Sequence, residues 1–80
     1  MLILIWKGRV LMPLTMANYG EPLFIKSIHG KDETRRFLES LGFVTGAKVM
    51  VVTEMGGNII LNIKDTRIAI NKAMANRILV

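Results

Sequence analysis

The residues of this chain able to do chemistry are few and scattered. There is one histidine, His29, and no cysteine. The carboxylates are Glu21, Asp32, Glu33, Glu39, Glu54 and Asp65. A multi-histidine metal site within one chain is impossible, and Cys-ligated zinc and iron–sulfur sites are excluded with the cysteines. His29 sits beside a glycine where a strand ends, the place of an exposed loop histidine. As a metal ligand it would need Glu or Asp from another chain to join it around a divalent ion. Ser27 and Ser40 lack a Gly-x-Ser-x-Gly context for a nucleophile. Gly56-Gly57 is not followed by the Lys-Ser/Thr of a phosphate-binding loop. Asp32 and Glu33 are adjacent, but each has a structural use at a helix start. No constellation supports catalysis, and no cofactor is expected.

The charge is more informative. Eleven Lys and Arg against six Asp and Glu leave a net charge of +5. Such a balance suits an acidic protein surface, an anionic membrane leaflet or nucleic acid. The basic residues are dispersed along the chain, however, and do not alternate with exposed aromatics as on a single-strand-binding platform. No nucleic-acid partner is expected. The 80 residues make one domain, and an apolar share of 51% excludes disorder.

The elements that must position these residues follow from the apolar pattern. Leu23 to Ile28 reads as a strand after the Gly20-Glu21-Pro22 turn; Ile25 and Ile28 lie three apart, which predicts a bulge or bend. Asp32 to Leu41 reads as the one helix, capped by Asp32. Its apolar stripe is Thr34, Phe37, Leu38 and Leu41, with Arg35, Arg36 and Glu39 outside, and Gly42 is placed as a left-handed C-cap. Lys48 to Thr53 is β-branched-rich, apolar on both faces, and expected to be central. Met55-Gly56-Gly57-Asn58 is a hairpin loop. Ile59 to Lys64 turns Ile59, Leu61 and Ile63 inward, Asp65-Thr66 is a turn, and Arg67 to Ile70 follows. Asn71 caps one helical turn through Ala75, and Arg77 to Val80 closes as a strand. The pattern predicts a mainly β domain: a small antiparallel barrel with one helix and a short C-terminal helical turn.

The opening Met1-Leu2-Ile3-Leu4-Ile5-Trp6 is too short to span a bilayer, and its basic residues follow the apolar run instead of preceding it, so no secretion signal is expected. Three readings compete: an extra strand or anchor on the domain, a membrane-surface contact, or a start assigned upstream of Met12 or Met16. The first and third are preferred. The expected division is an N-terminal extension, 1–18, and a barrel domain, 19–80. The apolar run could also pair between chains and make a homodimer.

From about Gly20 to Val80 the order of features resembles the ferrous iron transport protein A (FeoA) family. Four stretches carry the likeness. Gly20 precedes Ile25, Ile28 and Gly30. Arg35-Arg36-Phe37-Leu38 leads into Leu41-Gly42-Phe43-Val44-Thr45-Gly46. Arg67-Ile68-Ala69-Ile70 matches an Arg-x-Ala-Leu strand, and Ala75-Asn76-Arg77-Ile78-Leu79-Val80 matches an Ala-x-x-Ile-x-Val finish. Thr45 stands where the family usually has Pro, and Asp65 where a turn Gly is common. The resemblance implies an SH3-like barrel that is cytoplasmic, bacterial and peripheral to the membrane. It implies an accessory protein of ferrous iron transport acting on the GTP-binding transporter FeoB. The contact region expected from the sequence is the helix (Arg35, Arg36, Glu39) and the hairpin (Met55, Gly56, Gly57). A nucleic-acid-binding barrel and a metal-binding or metalloregulator-type module, using His29, are the alternatives.

Overall fold

The computed structural model describes residues 4–6 and 9–80, and side chains from Leu11 onward. The expected strand from Leu23 to Ile28 is divided into β3 (Pro22–Phe24) and β4 (Ser27–Ile28). The odd spacing of Ile25 and Ile28 is the cause. Both are buried, and the chain turns a corner between them that carries it from one sheet to another. At the corner Ile25 N–H donates to the Ala47 carbonyl at 2.9 Å, and Lys26 N–H to the Leu79 carbonyl at 2.8 Å.

The main sheet runs β3-β5-β6-β7, adding β5 (Lys48–Met55), β6 (Asn58–Ile63) and β7 (Thr66–Asn71). All its pairings are antiparallel. Strand β5 lies between β3 and β6, the central place its apolar faces predict. Its register shifts between Val51 and Thr53, a bulge at Val52. Inward positions alternate as period two requires: Val49 and Val51 on β5, then Ile59, Leu61 and Ile63 on β6, are all buried. The turn from β6 to β7 is Lys64-Asp65, both at positive φ of 51° and 60°, one residue earlier than the sequence suggests. Two successive left-handed residues make the reversal that matches strand twist.

Helix α1 spans Glu33–Ser40. Asp32 caps it, accepting from Arg35 N–H at 3.3 Å. Beyond its last turn, Gly42 N–H donates to the Glu39 carbonyl and Phe43 N–H to the Leu38 carbonyl, both at 3.0 Å. That crossed pair needs a left-handed residue between its arms, and Gly42 supplies it at φ 104°. The motif places Phe43 next to Leu38 in sequence-reversed order, and both are fully buried. The expected stripe is narrower than read. Leu38 is buried and Leu41 half-buried, but Phe37 is 49% exposed. Phe37 sits 100° round the helix from Leu38, and a helix of two turns on a small barrel buries only one narrow line.

After β7, Asn71 caps α2 (Lys72–Ala75) by accepting from Met74 N–H at 2.8 Å. Strand β8 (Ile78–Leu79) then pairs antiparallel with β4.

At the other end, β1 (Leu4–Trp6) and β2 (Arg9–Leu11) form an antiparallel hairpin. The chain continues directly onto β8. Met12 N–H donates to the Val80 carbonyl at 3.1 Å and Val80 N–H to that of Met12 at 2.9 Å, while Pro13 bridges Leu79. Leu14, in a single 3₁₀ turn (Leu14–Met16), and Ala17 join the barrel core. Leu14 and Ala17, within the stretch the sequence sets apart as an extension, thus share a core with the strands that follow. Leu79 is buried although its neighbours Ile78 and Val80 fill the inward face; the N-terminal segment paired along it accounts for that.

Candidate functional site

The helix side of the expected contact region is a small basic surface. Lys31, Asp32, Arg35, Arg36 and Glu39 line a concavity of about 290 Å³. Arg35 is tied down on two sides: its Nη1 donates to the Gly30 carbonyl at 3.0 Å, and its Nε lies 3.9 Å from Glu39 Oε2. Arg36 is exposed. Next to this surface Arg77 Nη1 donates to Asp32 Oδ1 at 2.7 Å, joining the start of α1 to the approach to β8. That hydrogen bond holds the Asp32 carboxyl below its ordinary value and raises the Arg77 guanidinium above its own. A depressed carboxylate stabilises the fold at pH above its ordinary value of about 3.9, and that contribution is lost as acid titrates it in the folded state. The thermal midpoint is therefore expected to fall with pH below about 5, and Asp32→Asn is expected to flatten part of that fall. Calorimetric melts of both proteins across acid pH check this; an unchanged slope contradicts it. The pair is solvent-exposed, so the effect is small.

The hairpin side lies elsewhere. Met55 is 65% exposed at the β5–β6 tip. Gly56 and Gly57, at φ 55° and 83°, make the tight reversal that only left-handed residues allow. The strand beneath is tied to α2 by an ion pair between Lys72 and Glu54. No hydrogen bond or ion pair among the described residues joins the helix surface to the hairpin. His29 is exposed, and its backbone N–H donates to the Arg77 carbonyl at 2.8 Å. Among the described residues no group of three or more His, Asp or Glu side chains is placed to hold a metal ion.

The larger concavity, about 450 Å³, lies at the outer face of the main sheet. It is lined by Pro22, Ala47, Val49 and Met50, with Lys48, Asn62, Lys64 and Asp65 beside them. Pairing explains the grouping. Pro22, Met50, Asn62 and Arg67 stand in one cross-strand row, and Phe24 stands opposite Lys48 in the next. Phe24 is 52% exposed, with Lys26 Nζ 5.9 Å from its ring centre. The Lys64 stem runs along Gly42, where an added Cβ would meet its Cδ and Cε at 3.5 Å. The sequence reading missed this surface. Its signal was the outward apolar position Met50 on a strand read as apolar on both faces and central.

With this geometry in view, the comparisons are decisive. The FeoA domain matches residues 12–80. The chain belongs to the FeoA family. It is 32% identical over 68 residues to a Fe(2+) transport protein A of Methanocaldococcus jannaschii, covering 85% of this chain and 83% of that protein. A crystal structure of an iron uptake regulatory protein, FeoA, superposes with a TM-score of 0.80 at 30% identity, covering 88% of this chain and 95% of that one. The zinc complex of Stenotrophomonas maltophilia FeoA, described as a procaryotic SH3 domain protein, gives 0.74 at 27% identity over 84% and 86% of the two chains. The fold is the SH3-like antiparallel barrel expected. The family match begins at Met12, where the chain first pairs with Val80.

Proposed function

We propose that this chain is a small accessory protein of ferrous iron transport that works by docking on the cytoplasmic region of the membrane transporter, an FeoB-like protein with a GTP-binding domain. The observation that carries the reading is membership of the FeoA family over residues 12–80, together with the likeness to a Fe(2+) transport protein A across most of that protein's length. The physical features suit such a role. The surface carries a net charge of +5, and electrostatic attraction of that kind favours association with an acidic partner. No described helix is long and apolar enough to cross a membrane. The working place is the cytoplasm.

The reading is tested in cells. Removing this protein from an organism that also makes the transporter is expected to lower uptake of radiolabelled ferrous iron severalfold, with transporter abundance unchanged. Re-expression of the full chain restores it. Uptake that is indifferent to the protein's presence contradicts the proposal.

A further inference from the structure

We propose that the concavity on the outer face of β3, β5 and β6 is the docking surface, and that its occupant is a peptide segment in which acidic residues accompany apolar ones. The inference rests on the docking reading above and adds the place and the chemistry of the partner.

The floor is apolar and lacks a covering element among the described residues. Pro22 and Met50 stand adjacent on neighbouring strands, Ala47 extends the lining, and Phe24 is half exposed one row away; Val49 borders the hollow through its backbone while its side chain is buried in the core. A volume of about 450 Å³ lies within the usual ~300–1,000 Å³ of ligand-binding concavities. An apolar floor of this size calls for apolar side chains from a partner.

The rim decides the charge of that partner. Lys48 and Lys64 line the concavity, Arg67 ends the cross-strand row through Met50, and Lys26 sits over Phe24. Asp65 is the single carboxylate in the lining. The ion pairs among the described residues are Arg35–Glu39, Lys72–Glu54 and Arg77–Asp32, and none uses these four cations. Three basic groups of the helix region, by contrast, already work internally or stand apart from any apolar floor. Two lysines in the lining, with Arg67 at the end of the cross-strand row and Lys26 beside Phe24, attract a partner that offers carboxylates and apolar side chains together.

Shape separates this partner from two others. A membrane takes up protruding apolar groups, and a hollow cannot reach the acyl region. Single-stranded nucleic acid stacks on aromatic platforms, and here Phe24 alone is aromatic, with a lysine over it.

The test uses the full chain, isotope-labelled, and two short degenerate peptide libraries. In one, Asp or Glu alternates with Leu, Ile or Phe; in the other, Lys or Arg replaces the acids. The acidic library is expected to shift the amide resonances of Val49, Met50, Asn62 and Lys64 at low salt, and the basic library to leave them in place. Lys48→Glu with Lys64→Glu is expected to weaken the response about tenfold or more. Should that double variant fail to fold, Lys48→Gln with Lys64→Gln is expected to give a loss in the same direction. No shifts, shifts centred on α1 or the hairpin, or an undiminished response in the folded variants would overturn the proposal. So would a stronger response at these residues to phosphatidylglycerol vesicles or an oligonucleotide. A variant that still binds the transporter's cytoplasmic region as tightly as the parent would sink this assignment and leave the docking function standing. Acidic peptides that bind here while the transporter does not would do the reverse.

Discussion

Replacing Phe43 with alanine is expected to leave the chain largely unfolded at room temperature. Phe43 is the largest of the fully buried side chains among the described residues. Truncating a buried phenylalanine costs about 3–5 kcal/mol, from lost transfer energy plus the cavity left behind. A chain near this size holds on the order of 3–5 kcal/mol in its core, so one such change consumes most of it. The backbone bond from Phe43 N–H to the Leu38 carbonyl survives in alanine, so the expected loss is that of the buried ring alone. Urea unfolding followed by circular dichroism checks this: the cooperative transition should vanish or move close to zero denaturant. The matched control is Phe37→Ala. Phe37 is 49% exposed, and surface changes usually stay within about 0.5 kcal/mol. If the two variants melt alike, the burial of Phe43 and the exposure of Phe37 are both misassigned.

Leu14→Ala carries the second large effect. Leu14 is fully buried in the core cluster that holds Leu38, Phe43 and Leu61, and a Leu-to-Ala change in such a place costs about 2–5 kcal/mol. The segment around it has its own fastenings. Met12 and Val80 exchange backbone hydrogen bonds, and Thr15 Oγ1 donates to Asn76 Oδ1 at 2.6 Å. A shift of the urea midpoint close to that of a barrel-strand core variant is the expected result. A shift near zero would mean that residues 12–18 are a loose extension.

These two positions mark where the fold was legible and where it was not. The strands β5 to β7 and the caps of both helices could be read directly, because period two and the capping chemistry of Asp32 and Asn71 are local signals. The odd spacing of Ile25 and Ile28 also said something true: the chain bends there. It did not say that the bend passes the chain to a second sheet, since partner choice lies with distant Leu79 and Ala47. Phe37 misled for a geometric reason, as a periodic stripe states which residues share a side, but not how wide a core waits for them. Residues 12–18 carry neither period, and the burial of Pro13, Leu14 and Ala17 goes with pairing to Leu79 and Val80 at the far end of the chain.

The candidate surface was the least legible part. Arg35 and Arg36 drew attention as adjacent charges, yet Arg35 is engaged with Gly30 and Glu39. Pro22, Lys48, Met50 and Lys64 lie far apart in sequence. Only antiparallel pairing gathers them, and nothing local in the chain announces that an outward methionine on a central strand will line a hollow.

The most direct test of the account is a calorimetric titration of the full chain into the isolated cytoplasmic region of the ferrous iron transporter made by the same organism. Saturable binding at low ionic strength is predicted, weakening as salt screens the basic face. No measurable binding at low ionic strength would contradict the docking function at its root.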